Sequence, residues 1–171
     1  LGGTDLVFEL RNWMRLHAVT NQVGEIISQC KHVSYPYDLN VFFSDAQQIA
    51  LPVDITGPTN GAVIITAIGV NSNNKLSLLW QKKIGSATFN STVTSATLST
   101  GALSGMSMLT NQTLVVVEAF AHPQIWQFAQ GFISLSQSPV LYSQSVFPGR
   151  FFGQGIGIST LDSNVSAAEC S

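Results

Sequence analysis

From residue 4 to residue 30 one set of positions recurs at steps of four and three: Leu6, Leu10, Trp13, His17, Thr20, Gly24 and Ile27. Val7, Met14, Val23 and Ile26 widen the same side. That spacing marks one face of an α-helix and predicts a first helix over residues 4–30. Charge does not explain it, because Asp5 and Glu9 form a like-charge pair four residues apart and no acid stands four before Arg11 or Arg15. Packing must therefore hold it. A helix of this length spans about 40 Å, more than a small domain is wide, so part of it is expected to project or to pack on neighbours. Tyr35-Pro36-Tyr37-Asp38 ends the pattern.

A short second helix is expected over residues 44–49, where Ser44 offers an N-cap and Gln47 completes a capping box, stopping before Pro52. Past the turn cluster Gly57-Pro58-Thr59-Asn60-Gly61 the period changes. Residues 62–70 form a β-branched run, and after the turn at residues 71–74 residues 76–83 supply its hairpin partner. Residues 86–112, rich in Ser and Thr, read as a long loop with at most one edge strand. Residues 113–120 give a central strand and residues 140–147 a last one, while the Gly-rich tail from Phe151 onward predicts little. A helix followed by hairpins, without βαβ alternation, predicts an α+β fold: a long N-terminal helix packed on an antiparallel sheet. The division expected is a helical stem over residues 1–31 and a globular part over residues 32–171.

Composition alters this picture in one respect. Only 9% of the 171 residues are charged, against about 25% in ordinary soluble domains. Ser, Thr, Asn and Gln make up the surface instead, which suits an exported or surface-assembled subunit. A net charge of −2 with seven scattered Lys and Arg gives no basic field, so nucleic acid is excluded as a partner. Cys30 and Cys170 stand far apart with no CxxC. In an exported chain they would form one disulfide, pinning the C-terminus to the end of the first helix; in the cytosol they would be two buried thiols. No stretch of 18 apolar residues is present, so no complete membrane span is visible. The opening Leu1-Gly2-Gly3 reads as the continuation of a segment already removed.

Chemistry is hard to find. His17, His32 and His122 fit no compact metal motif, and Gly153-Gln154-Gly155-Ile156-Gly157 lacks the strand-to-helix setting of a phosphate cradle. Glu118 is the one acid inside an apolar strand, on the face opposite Val117 and Ala119. It is expected to be one side of a structural ion pair with Lys82 or Lys83, the alternative being a perturbed acid in a pocket. Trp80, Phe120, Trp126, Phe128, Phe132, Tyr142 and Phe147 could line a ligand groove, though core or subunit interface is the commoner use of such residues. Asn90-Ser91-Thr92, Asn111-Gln112-Thr113 and Asn164-Val165-Ser166 match the N-glycosylation sequon, which has a use in a eukaryotic secreted protein and arises by chance in a chain this rich in Ser, Thr and Asn. No catalytic constellation, metal site or cofactor motif emerges, and a non-enzymatic role is expected.

Several segments, in order, resemble the TadE/TadG-like minor pilins of bacterial tight-adherence (Tad, type IVc) pili. Gly3-Thr4-Asp5-Leu6 resembles the place where the family's apolar anchor gives way to its acid-containing continuation, and Arg11 with residues 18–28 the amphipathic half that follows. Residues 42–52 resemble its short second helix. Residues 61–68 with Leu79-Trp80-Gln81-Lys82 resemble a strand pair carrying a Trp-Gln-basic triplet. Residues 113–120 resemble its Glu-bearing strand, and residues 145–150 its closing strand and basic turn. Ala121-His122-Pro123 departs from the family's aromatic at that point, and residues 86–108 and 151–171 match nothing in it. The resemblance implies a prepilin anchored in the inner membrane through an N-terminal segment missing here, cleaved, and built into an extracellular pilus. Its partners would be other minor and major pilins and the inner-membrane assembly machinery, with Leu6, Leu10, Trp13 and His17 on the assembling helix. A secreted adhesin or carbohydrate-binding module and a self-assembling shell subunit are the rival expectations.

Overall fold

In a computed structural model the chain is described over residues 2–70, 73, 75–101, 103–109, 111–122, 140–151 and 158–170, with side chains of the first helix from Val7 onward. Helix α1 (Gly2–Ser28) leads through β1 (Val33–Ser34) into helix α2 (Tyr37–Ala50). Strands β2 (Gly61–Val70) and β3 (Leu76–Gly85) follow, then the single turn α3 (Thr97–Thr100), β4 (Leu114–Ala121), β5 (Leu141–Pro148) and β6 (Leu161–Asp162). The main sheet runs β3-β2-β4-β5, antiparallel at every junction, and β1 pairs with β6 in a separate parallel bridge. The fold is α+β, a long N-terminal helix on an antiparallel sheet, as the periodicity predicts.

The two helices cover one sheet face. Leu16, Val19, Val23 and Ile27 of α1 and Leu39, Phe42, Phe43 and Ala46 of α2 share a core with Val63, Ile65, Ala67, Val115, Val117 and Ala119. Each large aliphatic buried there contributes about 1.5–3 kcal/mol. Small residues let α1 approach β5: a Cβ on Gly24 would lie 2.5 Å from the Phe147 ring. One turn earlier, Thr20 Oγ1 lies 3.0 Å from the hydroxyls of both Ser143 and Ser145. The loop between β3 and β4 covers the other face, bringing Phe89, Val93 and Leu98 onto Ala62, Ile64, Ile68, Leu114, Val116 and Phe120. Burial on both faces is why β2 and β4 are continuous apolar runs.

Helix α2 corrects the expectation of a helix over residues 44–49. Ser44 is not its cap but an exposed mid-helix residue, and the helix begins directly after Pro36. Pro36 stands at the N-cap, where its missing N–H breaks no intrahelical hydrogen bond and its carbonyl accepts the Asn40 N–H at 2.9 Å. Leu39, Phe42, Phe43, Ala46 and Ala50 then make the buried stripe. Gln47 forms no capping box; its amide bonds Val53 O, Ile55 N–H and the Thr56 hydroxyl, fixing the turn that leads into β2.

Candidate functional site

The first helix presents two faces. Asn12, Leu16, Val19, Val23 and Ile27 point into the protein, whereas none of Val7, Phe8, Glu9, Leu10 and Arg11 is buried. Val7, Leu10, Met14 and His17 recur at steps of three, four and three on the outward side, and the first three are 56%, 55% and 57% exposed. Trp13 flanks them with its ring 5.1 Å from that of His17, and His17 Nδ1 meets Asn21 Nδ2 at 2.7 Å, where the apolar stripe ends. The single stripe expected from the sequence therefore divides: Leu10 and Trp13 lie outside while Thr20, Gly24 and Ile27 are buried. A repeat averaging 3.5 residues slips by about 20° per heptad on a straight helix, which carries its early members off the core. The Leu6 side chain lies outside the described residues.

On the loop-covered face stands Glu118, with none of its surface exposed. Its Oε1 accepts from Thr92 N–H at 2.9 Å, the Thr92 hydroxyl at 2.7 Å and the Tyr142 hydroxyl at 3.1 Å, while Oε2 accepts from the Ser91 hydroxyl. Burial, countered by the Thr92 hydrogen bond and reinforced by the charge of Glu118, pushes the Tyr142 phenol up to about 12. The expected ion pair does not form. Lys82 is opposite Ile65 and so faces the helices, with its ammonium 4.0 Å from the centre of the Tyr35 ring. Lys83 shares Glu118's face but lies two strands away across Ile64, and donates to the carbonyls of Phe89 and Ala87. Lysine and glutamate thus grip neighbouring parts of one loop. Arg150 instead pairs with Glu25 at 3.8 Å, both exposed.

A second buried carboxylate, Asp38, escaped the sequence reading. It accepts from Ser34 N–H and the Ser34 hydroxyl, both at 2.7 Å, and from the backbone N–H groups of Glu169 and Cys170. Burial pushes its carboxyl up, but these hydrogen bonds together outweigh that and hold it below the ordinary aspartate value. Beside it Cys30 and Cys170 are joined in a disulfide. Trp80 Nε1 donates to Ile158 O at 2.8 Å, seating the start of the same tail. The available signal was an acid in the first turn after Pro36, with a serine four residues before it.

Among the described residues the aromatics make no single groove. Trp80 and Phe147 face the helices, whereas Phe120 and Tyr142 lie on the opposite face in a row with Phe89 and His122. Trp126, Phe128, Phe132 and the glycine run at residues 153–157 lie outside the described residues. A shallow cleft of about 390 Å³ beside α2, lined by Asn40, Ser44, Gln48 and Thr56 over Phe43 and Ile84, carries no titratable group. His32 is exposed, and among the described residues no group of three or more His, Cys, Asp or Glu is placed to hold a metal ion. Nor is any helix of the described residues long and apolar enough to cross a membrane. No family model matches the chain, and no curated protein or solved structure matches it at significance.

Proposed function

We propose that this chain is a structural subunit of an exported filament, of the minor-pilin kind that its sequence resembles, and that its chemistry is association through α1. The observation that carries the reading is the outward stripe of Val7, Leu10 and Met14, flanked by Phe8 and Trp13, on helical turns where the domain buries no apolar side chain. With about half of each such side chain still exposed, covering them adds roughly 1 kcal/mol apiece. That suffices for a repeated assembly contact, though not for a tight isolated dimer. The steps of three and four favour a second helix as the covering surface. The disulfide fits an oxidising compartment, and the nearly uncharged surface fits a packed array. In this reading the partners are other pilins and the membrane-bound machinery that assembles them.

Immunogold electron microscopy on the source cells, with antibody raised to the folded chain, tests it. Gold along surface filaments, together with a cross-link to a second pilin-type chain from a photoreactive side chain at Leu10, is the expected result. Label confined to the cell interior, or to secreted material that never joins a filament, overturns it.

A further inference from the structure

The three sequons differ sharply once folded. N-linked transfer requires the acceptor amide and the hydroxyl two residues later to enter a transferase together. At Asn90 both acceptor and Thr92 are exposed, but the hydroxyl is already engaged: Thr92 Oγ1 donates to buried Glu118 and lies 3.1 Å from the Tyr142 hydroxyl, and the preceding Ser91 is tied to the same carboxylate. At Asn111 the backbone is left-handed, with φ of 67°, and Thr113 is buried at the root of β4. Asn164 is different. Asn164 and Ser166 are both exposed, and neither side chain bonds a described residue.

The segment carrying them is held at both ends. Residues 161–162 pair with Val33 and Ser34, and the Tyr35 N–H donates to Asp162 O at 2.7 Å. At the far end the N–H groups of Glu169 and Cys170 sit on Asp38, and Cys170 is bonded to Cys30. Residues 163–168 thus form an exposed arch on two fixed feet. Asp162 Oδ1 accepts the Asn164 N–H at 2.9 Å, turning the chain at the acceptor. The disulfide fits an oxidising, extracytoplasmic compartment.

We infer that Asn164 is a modification site, the acceptor for an N-linked oligosaccharide delivered to the folded chain from a polyprenyl-diphosphate-linked donor. Asn164 Nδ2 attacks the anomeric carbon of the first sugar. The bond from that carbon to the diphosphate oxygen breaks, the lipid diphosphate leaves with the electron pair, and the proton lost from the amide passes to a base of the transferase. Oxidation states do not change. The glycan would stand off the end of α1 where Cys30 lies, away from the apolar stripe at its other end, so modification and assembly would not compete.

The test uses the folded, disulfide-bonded chain with a single-subunit oligosaccharyltransferase and its lipid-linked oligosaccharide, read by intact mass and glycopeptide mapping. One glycan per chain, mapped to Asn164, is expected. Occupancy should fall to background in both Asn164→Gln and Ser166→Ala and stay unchanged in Asn90→Gln and Asn111→Gln. The exposed Ser166 makes its variant a safeguard against misfolding. Absence of transfer while an acceptor peptide in the same tube is modified overturns the inference, as does a glycan on Asn90 or Asn111 with Asn164 bare.

Discussion

Replacing Glu118 separates two accounts of what holds the loop between β3 and β4. In Glu118→Ala, the Ser91 hydroxyl can fall back on Val93 O at 3.1 Å, and the Tyr142 hydroxyl on Thr92 Oγ1 at 3.1 Å. The Thr92 N–H has no such alternative. One orphaned N–H costs about 1–3 kcal/mol, and the lost charge-assisted bonds add more, so a total loss of about 3–5 kcal/mol is expected. Glu118→Gln can keep its amide oxygen at the Oε1 position and turn its NH₂ toward Ser91. Only the difference between charge-assisted and neutral bonds is then lost, about 1–2 kcal/mol. If an ion pair were the stabilising element, Lys82→Met or Lys83→Met would cost as much as Glu118→Ala; the geometry instead predicts about 1 kcal/mol or less for each. Urea unfolding at pH 7 reports the midpoints, with an unchanged m-value required for the comparison. Hydrogen exchange at Thr92 reports whether the loop has opened locally. A Glu118→Ala protein within about 0.5 kcal/mol of the parent, the range of an ordinary surface change, would refute this reasoning.

Two further outcomes concern the tail. Because the folded Asp38 carboxyl titrates below its ordinary value of 3.8, its contribution is complete above that pH and is lost as the pH falls through the folded value. Acid unfolding of Asp38→Asn should therefore be flatter below about pH 4 than that of the parent, and superimposable acid limbs would show the carboxylate to be idle. Reducing the disulfide, whose cysteines are 140 residues apart, should cost about 5 kcal/mol on loop entropy alone. The Asp38→Asn penalty should also shrink in the reduced chain, and an unchanged urea midpoint on reduction contradicts the clasp.

What the sequence made legible was whatever repeats. The β2 and β4 runs stood out because burial on both faces leaves no polar interruption except Thr66 and Glu118, and the hairpin followed from the turn at residues 71–74. Thr4-to-Cys30 periodicity placed α1 within two residues of its observed ends, Gly2 and Ser28. It could not show which turns met the sheet, since that depends on a slow rotation between a 3.5-residue pattern and a 3.6-residue helix. The start of α2 was hidden because Pro36 was read as a terminator, and because Tyr, Val and Phe are weak helix formers that only tertiary packing makes helical. Glu118 was placed on the correct face with the wrong partner. Nearness in composition suggested lysine, but strand order decides reach, and β2 stands between them. Ser91 and Thr92 lie in a stretch whose Ser and Thr are too numerous for any one to announce itself, and only the folded loop brings them to the carboxylate.

The polar economy of the molecule bears on why the α1 stripe is left bare. Both buried carboxylates are satisfied by hydroxyls and backbone amides rather than by cations, so the interior makes little use of charge. With 9% charged residues over the whole chain, the surface has little charge with which to keep copies apart. A chain so composed, carrying Val7, Leu10, Trp13 and Met14 exposed on one helix, is poorly protected against association at that place. Elsewhere the fold is guarded. The outer strand β3 carries Lys82, Lys83 and a bulge at Leu79 where Ala67 and Ile68 change register, devices that discourage strand-to-strand addition. On the helix-facing side of β5, Ser143 and Ser145 are tied to α1 through Thr20. A guarded β3 edge beside an exposed helix face is what the proposed association through α1 calls for.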